Sequence, residues 1–418
     1  MTRQVQPLRG LLCLVVLVLG TGLISCGDDP ADPTSPEQLL LEKAVKAVWG
    51  ETDPDSVQSL RQRSRYETVA SSAAVPAPVS QVEILAAGPK RYRKQRLAPF
   101  GIVEVFAMDG DEVWATIDGT LVPLTEEEAT RRRLQPWLVQ ISKIAPLRDT
   151  KLFDLDHKGI VELDNGSRVE ELRVIPKEYD GLELVFDFDP DSHLPQRVVM
   201  MNKRSREELA IELSDYRSIN GVQVAHRVLG FRNGKQVSTE IIESIELDVD
   251  LGAAPFKKPE HTGRDLVVEK SASLSGPLAY CVHEGDADDA KEIFDTVAKL
   301  REWIEERGFI IVGPLVVMRN RPQPAGTSPE LRTLVGIAVG ALAKDPIIEA
   351  GSAFGWMSLE AQPALCLTHV GEASSEDLIA KLATAAAERG SSRSGPPLEI
   401  IFSADGKTRQ IQLPIRKL

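Results

Sequence analysis

Residues 306–314 read ERGFIIVGP and residues 388–396 read ERGSSRSGP. Glu-Arg-Gly, four variable positions and Gly-Pro, occurring twice, constrain the chain more than any single residue does, because a repeated joint implies a repeated structural unit. A second shared turn precedes each copy: His-Glu-Gly at residues 283–285 and His-Val-Gly at residues 369–371. The stretch between the two turns is shorter in the second copy by about four residues, one helical turn. Each unit therefore reads strand, turn, helix, glycine stop, Gly-Pro turn, strand. In the first helix Ile293, Val297, Leu300 and Ile304 recur along one face, and Gly308 stands where a left-handed cap is wanted. In the second, Ser374 with Asp377 forms a capping pattern, Leu378 and Leu382 make a narrower stripe, and Gly390 ends it. A further strand closes each unit, at residues 331–339 and 409–415.

Within LEIIF, Leu398, Ile400 and Phe402 share one face, and Glu399 shares the other with Ile401. The apolar trio suits a helix-covered core, so Glu399 is expected to face a cleft on the opposite side; Val317 holds the equivalent place in the first unit. The run AYCVHEG, the paired ERGxxxxGP joints, ELRTLVGIAV, LTHVG and the closing IQLPI together resemble the GyrI-like small-molecule-binding domain, over residues 274–418. That resemblance implies two pseudo-symmetric α+β halves sharing one sheet, with helices on one face and a ligand cleft on the other. It also implies that a glutamate here, two residues before a tyrosine, meets a cationic ligand or serves as the working acid. Glu399 matches, but Ile401 replaces the tyrosine. Tyr280, Phe354 and Trp356 are the aromatic candidates for the cleft walls, and His369 is a further candidate contact from the second turn.

Before residue 260 the pattern changes. After an amphipathic helix around residues 37–48 come short alternating runs broken by Asp-Gly and Asn-Gly, as in MDGDEVWATIDGT and INGVQVAHRVLGFRNGKQVS. These are hairpin signals, and so many antiparallel strands with little helix predict a curved, partly closed sheet over residues 37–259. MDGDEVW, FDPDSHLPQRV, LSDYRSINGVQVAHRV and a late FKKP resemble, in that order, the LolA/LolB-like lipoprotein carriers. The resemblance implies a half-open barrel that binds a lipid or a lipoprotein. Where that family has proline before His or Arg, this chain reads Val224-Ala225-His226. DFDPDSH (from Asp187) and DLDHKG (from Asp154) imitate calcium loops. Ser192 replaces the required glycine in one and Lys158 occupies a ligand position in the other, so both are read as turns and no metal site is expected.

Arg3 and Arg9, an apolar run from Leu11 to about Leu19 and LISC ending at Cys26 have the layout of a secretory signal over residues 1–25. The segment resembles a bacterial lipoprotein signal, which implies acylation of Cys26 and a membrane anchor facing the periplasm, with residues 26–36 as a Pro/Asp tether. Residues 257–265 form a second polar link, before the domain over residues 260–418. The net charge of −13 disfavours nucleic acid as a partner. The basic runs at residues 90–96 and 131–133 are read as a solvated strand face and a helix end. Cys281 and Cys366 are buried fillers or, after export, a disulfide. The chain has no GxSxG, Walker loop or paired histidines. The expectation is an α+β envelope lipoprotein without cofactors, binding a small amphipathic, cationic molecule in its second domain and a lipid or lipoprotein in its first. A hydrolase using Glu399 and a non-binding scaffold are the alternatives.

Overall fold

The computed structural model describes residues 35–417 except 69–78, 99–100, 134–143, 204–206, 261–265, 323–330, 340–351 and isolated positions between them. The signal, Cys26, most of the tether, Arg131 and Gly308 lie outside the described residues. No described helix is long and apolar enough to cross a membrane.

Helix α1 (Pro36–Trp49) starts at Ser35, whose hydroxyl accepts from the Gln38 amide, with Pro36 at a position whose N–H has no intrahelical use. Leu40, Leu41, Ala44, Val45, Val48 and Trp49 form its buried face. It packs on a sheet of thirteen strands: β1 (Ser59–Thr68), β2 (Val79–Ala87), β3 (Arg91–Leu97), β4 (Val103–Asp109), β5 (Glu112–Ile117), β6 (Thr120–Val122), β7 (Phe153–Glu162), β8 (Arg168–Pro176), β9 (Leu182–Phe188), β10 (Pro195–Asn202), β11 (Glu207–Ile219), β12 (Val222–Arg232) and β13 (Lys235–Leu247). The order runs from β6 down to β1, then from β13 down to β7, so two antiparallel meanders meet where β1 pairs with β13. Among the described residues the edges β6 and β7 do not pair, so the sheet is open, not a barrel. Asp118-Gly119, Asn220-Gly221 and Asn233-Gly234 carry positive φ at both positions, the two-residue hairpin turns that these pairs predict.

One predicted turn is a strand instead. DLDHKG lies inside β7, where the register shifts between His157 and Gly159, and Gly159 (φ 76°) takes up the bulge. The other imitation loop is a turn: Asp189 accepts from the amides of Asp191 and Ser192. The basic run of β3 is not simply solvated. Tyr92 is fully buried, and the Arg96 guanidinium lies over the Tyr66 ring and donates to the Ser80 hydroxyl.

The second sheet comprises β14 (Leu266–Lys270), β15 (Gly276–His283), β16 (Ile311–Pro322), β17 (Leu331–Val339), β18 (Phe354–Leu359), β19 (Ala364–Val370), β21 (Leu398–Ile401) and β22 (Thr408–Lys417), with β20 (Ser391–Arg393) pairing β22 to one side. Helices α2 (Ala290–Glu306) and α3 (Ser375–Glu388) follow β15 and β19; α3 is the shorter, and its capping pair is real, Ser374 accepting from the Asp377 amide and donating to its carboxylate. Gly390 (φ 64°) ends it as expected. Strand order is β14-β19-β22-β21-β16-β17-β15-β18, so each repeat mirrors the other about the β21–β16 pair. Each repeat's leading strand completes the other's edge: β14, ahead of the first, pairs with β19, and β18, ahead of the second, pairs with β15. The repeats are interlocked.

The domains meet on the helix-free face of this sheet. Ile102 and Ile117 of the first domain join Leu274, Leu278, Tyr280, Val316, Met318, Leu398 and Ile400 in one apolar cluster. At its margin the Lys270 ammonium donates to Asp118 Oδ2 (2.6 Å) and to the Gly101 carbonyl (2.8 Å), and Gln410 donates to the same Asp118 oxygen (2.6 Å). The Lys270 and Asp118 side chains are 10% and 4% exposed, so this is a buried pair.

Candidate functional site

The face assignment predicted for Glu399 is reversed. Leu398 and Ile400 lie in the interdomain cluster, whereas Val317 and Ile401, on the side of Glu399, pack with Ile293, Val297, Leu300 and Ile304 of α2. Both faces of the sheet are covered, so the apolar trio does not mark the helix side by itself. Glu399 therefore sits beneath the helices, opposite Val317, and the pseudo-two-fold axis relating the repeats passes through that pair.

Its carboxylate is 6% exposed and fully engaged. Oε1 accepts from Arg409 Nη1 and from the Ser375 hydroxyl, each at 3.0 Å. Oε2 accepts from Arg319 Nε and Nη2, both at 3.3 Å, and Ser375 Oγ lies 3.0 Å away. Both guanidinium groups also donate to the Ser375 oxygen at 3.2 Å. Beyond the carboxylate, Arg319 donates to Ala287 O (2.7 Å) and Asp288 (2.9 Å) just before α2, and Arg409 donates to Ala373 O just before α3. Glu399 is thus the anion at the centre of an Arg–Glu–Arg cluster that ties the first turns of both helices to the sheet. An acid facing two guanidinium groups has no uncompensated charge to offer a cation, and a reacting atom would have to displace one of them.

The other candidate residues do not join it. His369 is the cross-strand neighbour of Arg409, with Nε2 accepting from the Ala373 amide. Phe354 stacks on Trp303 at 5.7 Å, and Trp356 lies opposite Ala279; both are on the α2 side but on edge strand β18, four strand steps, about 19 Å, from β21. Tyr280 is buried on the opposite face. Cys281 and Cys366 are free thiols, on strands five steps apart and on opposite faces, out of disulfide reach; burial pushes them up to about 11 and about 12. The residues that sequence reasoning missed are Arg319, Arg409 and Ser375. A signal existed: Arg319 has the parity of Val317 and Arg409 that of Ile411, so both strands flanking Glu399 place a cation on its face.

The inner face of the first sheet is the second candidate. Leu60, Ile84, Phe106, Leu172, Leu184, Phe186, Val228 and Ile242 line it. α1 lies across β7 and β12, and Leu155, Met200 and Val113 remain only partly buried. α1, about 21 Å long, runs across the strands between β12 and β7, whereas thirteen strands span about 60 Å along the curve, so α1 covers only part of this concavity.

No family model and no curated protein matches the chain. Solved structures similar to it include the LolA superfamily protein NE2245 from Nitrosomonas europaea (14% identity, 54% of this chain and 99% of that chain, TM-score 0.37). A putative outer membrane lipoprotein-sorting protein domain from Vibrio parahaemolyticus is another (10%, 52% and 95%, TM-score 0.34). The C-terminal domain of EcmrR is a third (14%, 37% and 99%, TM-score 0.27).

Proposed function

We propose that the chain is a bacterial envelope protein that holds the apolar part of a lipid or lipoprotein against the concave face of its first domain. The observation that carries this is a thirteen-stranded open sheet with a largely apolar inner face, only part of which α1 covers. A concave apolar surface of this kind is how proteins hold hydrophobes. The LISC sequence ending at Cys26 supports a lipid anchor that keeps the domain at a membrane. The second domain is read as a partner that fixes the first through Asp118 and Lys270, with Glu399 holding its two repeats together. A small amphipathic ligand at Glu399 would compete with Arg319 and Arg409.

The test is uptake of N-phenylnaphthylamine by the chain from Asp28 onward, followed by its fluorescence, together with native mass spectrometry of protein purified without detergent. Binding that is weakened by Met200→Glu and Leu155→Glu, both on the inner face, is expected. Neither fluorescence gain nor co-purified lipid in the intact protein would overturn the reading. Cys26→Ser should release the full chain from membranes, and unchanged membrane association removes the anchor.

A further inference from the structure

The inner face of the first sheet carries polar groups toward its flanks, Arg96 beside Glu104 and His157 beside Glu170, and a fully buried polar patch where β12, β13 and β1 meet. There Gln62, Ser64, His226 and Glu240 are all at least 95% buried. They occupy neighbouring rows: Ser64 pairs with Ile242 and Tyr66 with Glu240, while Glu240 also pairs with Val228 and His226 stands two residues before Val228 on the same face. Leu60, Ile84, Val228 and Ile242 surround them.

The hydrogen bonds fix what Gln62 and His226 have left. Glu240 Oε1 accepts from Ser64 Oγ (2.5 Å) and Gln62 Nε2 (3.2 Å). Since a carboxylate oxygen takes donors, the Gln62 amide must turn its nitrogen to Glu240, and its own oxygen is buried with no partner among the described residues. His226 Nδ1 lies 2.8 Å from the Ile242 carbonyl, which only accepts, so Nδ1 carries the proton. In the neutral ring Nε2 is then an acceptor, and it too is buried without a partner among the described residues. The patch therefore presents two unused acceptors beside a carboxylate, inside a largely apolar concavity. Unsatisfied buried acceptors are disfavoured in a folded core, so their presence here calls for an occupant that donates.

We propose that this patch is a subsite for an ammonium group carried on an apolar tail. A primary ammonium has three donors and a positive charge, which match Gln62 Oε1, His226 Nε2 and the Glu240 carboxylate. Sulfate or phosphate monoanions carry acceptors and the wrong charge. This rests on the reading that the concavity holds an amphiphile and adds which headgroup it takes. Tyr66 and Ser80 continue the polar row toward Arg96, so the subsite lies at the polar end of the face.

The test compares tail-matched probes on the intact chain from Asp28: dodecylammonium, dodecyltrimethylammonium and dodecyl sulfate, each competing with N-phenylnaphthylamine below its micellar concentration. Dodecylammonium is expected to compete best, by about ten-fold or more over dodecyl sulfate, with the donor-free trimethyl analogue between them. In Gln62→Met and Glu240→Gln the preference should collapse while N-phenylnaphthylamine still binds, which also reports that the variants are folded. Phosphatidylethanolamine against phosphatidylglycerol vesicles, read by lipid transfer to the protein, separates a lipid headgroup from a free amine as the source. Naphthylamine binding without any preference for ammonium overturns the subsite and leaves the lipid-holding reading standing. No naphthylamine binding by the wild type overturns both.

Discussion

Removing Glu399 should cost folding free energy rather than ligand affinity. In Glu399→Ala, Arg319 and Arg409, with side chains 17% and 12% exposed, lose the anion between them and remain buried as like charges. Breaking a buried pair from one side costs about 3–5 kcal/mol. For a domain of this size that corresponds to about 6–20 °C in Tm. Arg319 also keeps Asp288 and Ala287 O, so it is the better compensated of the two, and the loss should be felt more at the α3 end, where Arg409 holds Ala373 O. Hydrogen exchange should then accelerate in residues 373–378 before residues 287–293. The triple change Glu399→Val, Arg319→Met, Arg409→Leu removes all three charges and should recover most of the stability, since apolar replacement of a buried ionic triad is often neutral or better. Thermal and urea unfolding of the three proteins measure this. A single variant within about 1 kcal/mol of wild type, or a triple variant worse than the single, would refute the clamp.

Asp187, on β9, is pushed up to about 6 by burial, against the opposing pull of Arg197. A carboxyl raised above its unfolded value holds its proton more tightly in the folded state, so stability falls as pH rises from about 4 to about 6. Asp187→Asn should gain on wild type by up to about 3 kcal/mol between pH 4 and pH 7 in urea melts, and a pH-independent difference contradicts it. Asp118→Asn keeps a residue tolerant of φ 48° but strips the charge from Lys270 in the domain interface; a loss of about 3–5 kcal/mol and separate calorimetric transitions for the two domains are expected. Cys281 and Cys366 should resist iodoacetamide in native protein and both react in urea without prior reduction; one equivalent of disulfide by mass would contradict the separation seen here.

The features that sequence carried best were local. Asn220-Gly221 and Asn233-Gly234 specify their turns by backbone conformation alone, Ser374 and Asp377 specify a helix start, and the ERGxxxxGP joints announced two equivalent units. DLDHKG misled because a bulge and a turn both ask for glycine at positive φ, and only the partner strand β8 decides between them. The exchange of β14 and β18 between the repeats was not legible, since neither strand contains a residue that names its partner. Glu399 shows the deeper limit. Alternation states which residues share a face, and it did so correctly for Leu398 and Ile400; it does not state which face meets the helices. That choice was made by the first domain, whose Ile102 and Ile117 supply a second apolar cover for the sheet. With both faces dry, the discriminating signal is charge: Arg319 and Arg409 share the side of Glu399, and three buried charges in adjacent strands are tolerable only together. The difference between the repeats at Val317 and Glu399 therefore marks the axis where they are joined, and the acceptors left over on β1 and β12 become the better guide to what the protein binds.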